Sequence, residues 1–169
     1  ASELGLETTR TVEFLSMAFS EDRAQLGSVK AVDEGYPLRG TLIAGDMPFA
    51  RGQPVERGPI PGELWLESRL FASIDIELGE ELEIGRALLP AKKVLLKEPD
   101  RGGGFNAMGP RILMHWDDVE QTGVIQPGSR VTYKLLVAGD SEALAEWSAE
   151  VAANLPDGIR LFGVRGGAE

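Results

Sequence analysis

The only histidine of the chain, His115, is the first residue to consider for catalysis. It precedes Trp116, Asp117 and Asp118, so a hydrolase would combine its imidazole with a nearby carboxylate and a serine nucleophile. The chain contains no Gly-x-Ser-x-Gly segment, which exposes the nucleophilic serine in many hydrolases. We therefore predict a structural role for His115, and a small hydrolase remains the alternative.

The acidic pairs and the glycine run predict neither a metal site nor a nucleotide site. Asp117 and Asp118 are adjacent, so on a helix their side chains point about 100° apart. The acidic residues within 80–83 lack the alternating oxygen ligands of a calcium loop. The glycines at 102–104 are not followed by the Lys and Ser/Thr of a phosphate-binding loop. We expect no catalytic residue, no metal and no cofactor in this chain.

Composition narrows the classes of partner. The 169 residues carry 27 acidic and 17 basic side chains, giving a net charge of −10, which disfavours nucleic acid as a partner. The chain has no cysteine, which excludes disulfides, zinc–thiolate sites and thiol nucleophiles. No apolar run approaches the ~20 residues that span a bilayer. Because the first residue is Ala1 and not Met, we expect a processed chain or an excised piece of a longer one.

The hydrophobic pattern predicts an α+β fold with many short elements. Residues 11–19 and 25–32 are two β-prone segments around a polar turn, which indicates a hairpin. Residues 130–138 alternate as a strand does, and Asp140 then begins a helix. The apolar stripe of that helix is expected to pack into the core; it comprises Leu144, Trp147, Val151 and Leu155. A second, short helix is predicted from the spacing of Leu66, Leu70 and Ile74.

Two long loops hold much of the glycine and proline. Residues 46–62 and 98–109 are predicted to contain no regular element, because breakers follow one another closely. In the second loop, Arg101 and Phe105 flank the three glycines. A cation and an aromatic ring on one loop are typical of a contact element.

Five segments, in this order and spacing, resemble one protein family. They are Ser28-Val29-Lys30-Ala31-Val32 running into Gly35-Tyr36-Pro37-Leu38-Arg39-Gly40, then Pro61-Gly62-Glu63-Leu64-Trp65-Leu66, Glu98-Pro99-Asp100-Arg101-Gly102, Gly109-Pro110-Arg111-Ile112-Leu113-Met114, and Gln126-Pro127-Gly128-Ser129-Arg130-Val131-Thr132-Tyr133. Together they resemble the first extracytoplasmic domain of FtsX-like ABC transporter permeases. The YbbP-type branch, related to the MacB-like periplasmic core, is the most similar. The resemblance runs from about residue 5 to about residue 164.

The resemblance implies a fold with two parts. Residues 1–62 and 98–169 would form a porter-like α+β part, an α/β sandwich. Residues 63–97 would form a smaller, β-rich inserted subdomain. In such permeases this domain lies between the first two transmembrane helices, so the N-terminal structure of the family domain would be incomplete here.

The resemblance also implies a function in transport. The domain would be non-catalytic and would lie on the periplasmic or extracellular face of the cytoplasmic membrane. It would couple ATP-driven motion to the export or extraction of lipids or other hydrophobic compounds. Its partners would be the parent transmembrane helices, a cytoplasmic ABC ATPase subunit that binds the ATP, and an esterase or lysophospholipase-type protein.

The resemblance carries over no catalytic residue. Partner contacts are predicted at Arg101, Phe105, Tyr36 and Arg39, with a structural turn and a local hydrogen bond as the alternative for Tyr36 and Arg39. Besides the small periplasmic hydrolase, a free-standing ligand-binding protein remains an alternative function.

Overall fold

Strands dominate the chain. The computed structural model describes residues 5–101 and 108–161. The strands are β1 (Glu7–Ser20), β2 (Arg23–Val32), β3 (Leu42–Gly45), β4 (Gln53–Val55), β5 (Leu64–Glu67), β6 (Glu81–Ile84), β7 (Ala87–Lys97), β8 (Arg111–His115) and β9 (Val131–Ala138). The helices are α1 (Ser68–Ser73), α2 (Val119–Thr122), which follows the 3₁₀ turn Trp116–Asp118, and α3 (Ser141–Ala153). In this part of the chain no helix is long and apolar enough to cross a membrane. The α+β class is therefore confirmed, with strands far outnumbering helices.

All nine strands belong to one mixed sheet, and the sheet closes on itself. Its path runs β4-β3-β7-β5-β8-β2-β1-β6, and β6 also pairs with β7. The strands β1, β2, β8, β5, β7 and β6 therefore form a hydrogen-bonded ring. The pairs β2–β8 and β5–β7 are parallel, and the other four pairs of the ring are antiparallel. β9 extends the sheet from the first half of β1, outside the ring.

The ring encloses the main hydrophobic core. Alternate residues of its strands are buried together, for example Val12 and Phe14 of β1 with Val29 and Ala31 of β2. Leu64, Leu66, Ile112 and Met114 of β5 and β8 join the same cluster. Because side chains alternate across a strand, the intervening residues point to the outer face. There a smaller cluster forms around Tyr36, Trp65 and Leu113.

The short helix predicted from the spacing of Leu66, Leu70 and Ile74 is confirmed as α1, although Leu66 itself lies in strand β5 and pairs with β7 and β8. Two other local predictions need correction. The loop 46–62 contains a short strand, β4, which pairs with β3. The apolar stripe of α3 contributes no buried residue. Helix α3 follows β9, which lies outside the ring, so its stripe is only partly covered.

Other local predictions are confirmed. β1 and β2 form the predicted hairpin. The Asp140 carboxylate accepts a hydrogen bond from the Ala143 amide at 2.9 Å and so caps α3. Gly123 ends α2 with φ at +65°, a left-handed conformation that glycine adopts without strain.

The turn between β6 and β7 packs closely against the end of α2, and a substitution at Gly85 tests this contact. Gly85 has φ at +58°, and a Cβ there would lie 2.1 Å from the Thr122 carbonyl oxygen. We expect Gly85→Ala to lower the free energy of unfolding by about 3 kcal/mol, through left-handed strain and overpacking together. Gly79→Ala is the matched control, because Gly79 has φ at +94° and open space around it. It should lose only about 1 kcal/mol. Equal losses in urea unfolding would show that the turn does not pack against α2 as described.

Candidate functional site

A cluster of buried charges lies on the outer face of β2 and β8. Lys30 stands between Val29 and Ala31 of the core, so strand alternation directs it outward. Arg111 is the first residue of β8 and pairs in register with Ser28 of β2. The side chains of Lys30 and Arg111 are 1% and 0% exposed. Charges this deeply buried must be paired, because isolated burial costs several kcal/mol per ion.

Two carboxylates and a hydroxyl surround the Arg111 guanidinium. Its Nε donates to Glu98 Oε1 at 2.7 Å, and its Nη1 donates to Ser28 Oγ at 2.8 Å. Its Nη2 lies 3.0 Å from Glu13 Oε1 on β1. The side chains of Glu13 and Glu98 are themselves 8% and 3% exposed. Arg111 therefore joins β1, β2 and the segment after β7.

Lys30 holds the same segment from the other side. Its Nζ donates to Asp100 Oδ1 at 2.7 Å and to Glu98 Oε2 at 3.1 Å. The Tyr36 hydroxyl donates to Asp100 Oδ1 at 2.5 Å, and Lys30 Nζ lies 4.7 Å from the centre of the Tyr36 ring. Glu98 is thus shared by both buried cations.

Glu67, at the end of β5, extends the cluster to the edge of the 98–109 loop. It accepts hydrogen bonds from the Arg111 amide at 2.9 Å, Arg101 Nη1 at 2.5 Å and Arg69 Nε at 2.8 Å. Arg101 Nη2 also donates to the Gly109 carbonyl oxygen at 3.0 Å. Arg101 therefore links residues near both ends of this loop to the sheet.

Burial and neighbouring charges shift the pKa values of Asp100, Glu67 and Tyr36. Burial alone would raise the pKa of Asp100, but Lys30 and the Tyr36 hydroxyl hold it below its usual range. Burial opposes the charge of Glu67 in the same way, and the Arg111 amide and Arg101 lower its pKa. Burial, followed by the negative charge of Asp100, raises the pKa of Tyr36, so the phenol stays protonated and donates.

These contacts define what the cluster can do. Lys30, Arg101 and Arg111 are each paired with at least one carboxylate. The cluster, comprising Glu13, Lys30, Tyr36, Glu67, Glu98, Asp100, Arg101 and Arg111, is called the ionic clamp below. Its chemistry suits it to hold the base of a loop against a sheet.

His115 lies at the far end of β8 and begins a helix. Its Nδ1 accepts a hydrogen bond from the Asp117 amide at 3.0 Å, and its Nε2 bonds to the Glu34 carboxylate. One ligand atom each of Glu34, His115 and Asp117 lies within 4.8 Å of the other two, a spacing at which three such groups could hold a metal ion. Both carboxylates are largely exposed, and the backbone amide occupies Nδ1. This geometry is that of an N-terminal cap, as the sequence predicts for a structural histidine.

Comparison with known proteins finds a homologous transporter. No family model matches the chain. Over 164 residues, 97% of this chain, it is 32% identical to the uncharacterised ABC transporter permease YbbP of Escherichia coli (strain K12). The chain is homologous to a domain of an ABC transporter permease. The homology covers 19% of the length of that relative, about a fifth.

A solved structure is also similar to this chain. It is a domain assigned to a permease protein of Porphyromonas gingivalis, with 16% sequence identity and a TM-score of 0.49. The match covers 89% of this chain and 70% of the solved chain. The YbbP-type resemblance seen in the sequence motifs is confirmed by the identity to YbbP.

The structure places the four predicted contact residues in different surroundings. Tyr36 and Arg101 both belong to the ionic clamp. Arg39 lies apart from it, 3.5 Å from Glu7 Oε1, and donates to the neighbouring Leu38 carbonyl at 2.8 Å. Phe105 lies outside the described residues. The partner contacts of all four remain predictions.

Sequence reasoning missed the centre of the ionic clamp. Lys30, Glu98 and Arg111 occur within the motifs that carry the family resemblance, but they were not singled out. One signal was available, because Lys30 interrupts an apolar run in a predicted strand and Arg111 opens another. A charge within a strand that is otherwise apolar on both sides needs a buried partner.

Proposed function

We propose that this permease domain is a non-catalytic extracytoplasmic module that couples ATP-driven motion to the export or extraction of lipids or other hydrophobic compounds. The observation that carries the proposal is the 32% identity to an ABC transporter permease over 97% of the chain. A transporter of this class hydrolyses ATP on one side of the membrane, and the resulting motion acts on its substrate on the opposite side. A domain outside the membrane needs a rigid body to pass the motion on.

The fold supports this mechanical role. Six strands form a closed ring around an apolar core. The ionic clamp fixes the segment from Glu98 to Arg101 to β2, β5 and β8 of that ring. A body closed by hydrogen bonds and packed inside deforms little, because protein interiors have low compressibility. Displacement at one end would therefore be passed to the other.

The partners and the internal division belong to the same proposal. They are the parent transmembrane helices, a cytoplasmic ABC ATPase subunit that binds the ATP, and an esterase or lysophospholipase-type protein. Tyr36, Arg39, Arg101 and Phe105 are the proposed partner contacts. The porter-like part, residues 1–62 and 98–169, and the inserted subdomain, residues 63–97, share one sheet in the described residues.

Labelling of single cysteines tests the extracytoplasmic placement. The chain has no cysteine of its own, so an introduced thiol in this domain is unique. In the full-length permease, Leu88→Cys should react with a membrane-impermeant maleimide in intact cells, because Leu88 is 55% exposed. Leu82→Cys is the matched control, because Leu82 is fully buried and should react only after denaturation. Labelling of Leu88→Cys only after cell lysis would place the domain in the cytoplasm and overturn the proposal.

Replacement of His115 separates this proposal from the hydrolase alternative. The imidazole caps the 3₁₀ turn through Nδ1. We therefore expect His115→Ala to lower the free energy of unfolding by about 1 kcal/mol, as loss of a cap does. Any ester hydrolysis by the purified chain should be the same in both proteins. A loss of ester hydrolysis in a His115→Ala protein that is still folded would favour the hydrolase.

The ligand-binding alternative would need a defined apolar pocket. The structure has an open groove of about 690 Å³ beside β9, floored by Trp116 and Tyr133. The charged side chains of Arg86, Asp117 and Glu120 interrupt its lining. This groove does not favour a free-standing binding protein over the permease domain.

A further inference from the structure

An apolar tip projects from the connection between β3 and β4. Met47 and Phe49 are 66% and 71% exposed, more than any other large apolar side chain among the described residues. Pro48 stands between them, so three apolar residues occupy one turn. We call Met47, Pro48 and Phe49 the 47–49 finger. Exposure of one such side chain is ordinary, but two on one turn need an explanation.

The backbone of the finger is fixed in an unusual conformation. The Ala50 amide donates to the Met47 carbonyl oxygen at 3.3 Å, which closes a four-residue turn. Phe49 occupies the third position with φ at +62°, where glycine or asparagine is normally found. A bulky residue in this region is strained, and such strain persists where the surroundings impose it.

An anchor under the turn imposes this conformation. The Phe49 amide donates to Ser68 Oγ at 2.9 Å, and Ser68 is the first residue of α1, only 8% exposed. The finger is thereby tied to the end of β5 and the start of α1. The strain and the anchor together present the phenyl ring to the outside of the molecule. Packing within this chain does not require that placement.

The surroundings of the finger favour a lipid surface as its occupant. The side chains of Met47 and Phe49 are largely exposed, so they can insert into an apolar medium. The Arg51 side chain is exposed two residues beyond the ring, and no carboxylate lies within 4.0 Å of it in the described part of the chain. Residues 46–57 contain two arginines and two acids, whereas the whole chain carries −10. Lipid phosphates therefore repel this neutral segment less than they repel the acidic chain as a whole.

We propose that the 47–49 finger inserts at the boundary between headgroups and acyl chains of a phospholipid bilayer, with Arg51 bound to a lipid phosphate. Aromatic and other apolar side chains with a flanking cation are suited to this boundary. Homology to a transporter permease puts such a bilayer beside the chain. The proposal rests on that homology and on the finger itself, so it holds on either side of the membrane.

An environment-sensitive dye at the tip tests the proposal. The chain carrying Met47→Cys would be labelled with NBD. An N-terminal His tag on a flexible linker would tether it to phosphatidylcholine–phosphatidylglycerol vesicles that also contain a nickel-chelating lipid. We expect the NBD emission to shift to shorter wavelength and to be quenched by brominated acyl chains. The labelled Leu88→Cys chain, tethered in the same way, should show neither change. Leu88 is also exposed, but it lies on β7 and outside the 47–49 finger, so its dye should stay in water.

Two further variants keep the test independent of folding. Phe49→Gly suits the positive φ, so it should keep or raise the melting temperature while weakening the NBD shift at position 47. Arg51→Gln should reduce the shift on vesicles that contain phosphatidylglycerol. An unchanged NBD emission at position 47 on tethered vesicles would overturn the proposal and leave a protein pocket as the occupant of the finger. Equal shifts at positions 47 and 88 would also overturn it, because they would show general adsorption.

Discussion

Arg111→Met is expected to lower the free energy of unfolding by about 3–5 kcal/mol, since it leaves the carboxylates of Glu13 and Glu98 buried without their shared cation. The arginine is fully buried and forms an ion pair with each of them. Methionine fills much of the volume of the arginine side chain, so the loss of stability comes mainly from the missing charge and only slightly from a cavity. The measurement is urea unfolding of the 169-residue chain at neutral pH.

Arg39→Met is the matched control for that change. Arg39 pairs with Glu7 at 3.5 Å, but the two side chains are 60% and 66% exposed. Exposed pairs contribute about 0–1 kcal/mol, so this substitution should have little effect. If both variants lost the same small amount, the ionic clamp would not be a stabilising element of the fold.

Acid should unfold the domain through the carboxylates of the ionic clamp. The pKa values of Asp100 and Glu67 are lowered in the folded chain from ordinary values of 3.8 and 4.5. A lowered pKa means that the folded state prefers the charged form. The resulting stability is present above the ordinary pKa and is lost as the pH falls through the folded pKa. The free energy of unfolding should therefore be constant near neutral pH and fall below about pH 4.

Asp100→Asn isolates the part of this effect that belongs to Lys30 and Tyr36. It removes the charge that accepts from Lys30 Nζ and the Tyr36 hydroxyl. We expect a loss of about 2 kcal/mol at pH 7, with a flatter dependence of stability on pH between 5 and 3. Asp22→Asn, in the exposed β1–β2 turn, is the control for loss of one negative charge. If the free energy of unfolding of Asp100→Asn fell with pH in parallel with that of the parent chain, the acid effect would not come from Asp100.

Local signals in the sequence predicted local structure. The polar turn between two β-prone segments predicted the β1–β2 hairpin, and Asp140 predicted the start of α3. These features depend on neighbours within a few residues, which the sequence displays directly. The family motifs likewise led to a homology that the comparison with YbbP confirmed.

Non-local pairing could not be predicted in the same way. The ring closes because β6 meets both β1 and β7, and β1 lies more than 60 positions before β6. The ionic clamp depends on Lys30, Glu98 and Arg111. The parallel pairing of β2 and β8 brings Lys30 close to Arg111, and Glu98 follows β7, which reaches β8 through β5. The apolar stripe of α3 predicted a core contact that the structure does not show, because α3 has no buried residue. Its periodicity describes one helix face, but burial depends on what the rest of the fold places against that face.

Lipid release from reconstituted membranes is the most direct test of the proposed coupling. The full-length permease and its ATPase subunit would be placed in proteoliposomes that contain a fluorescent phospholipid. Removal of residues 5–161 should leave ATP hydrolysis in place and abolish ATP-dependent release of the lipid. Asp22→Asn, in the exposed β1–β2 turn, should behave as the intact permease does. Undiminished ATP-dependent lipid release from the permease without this domain would contradict the proposed function.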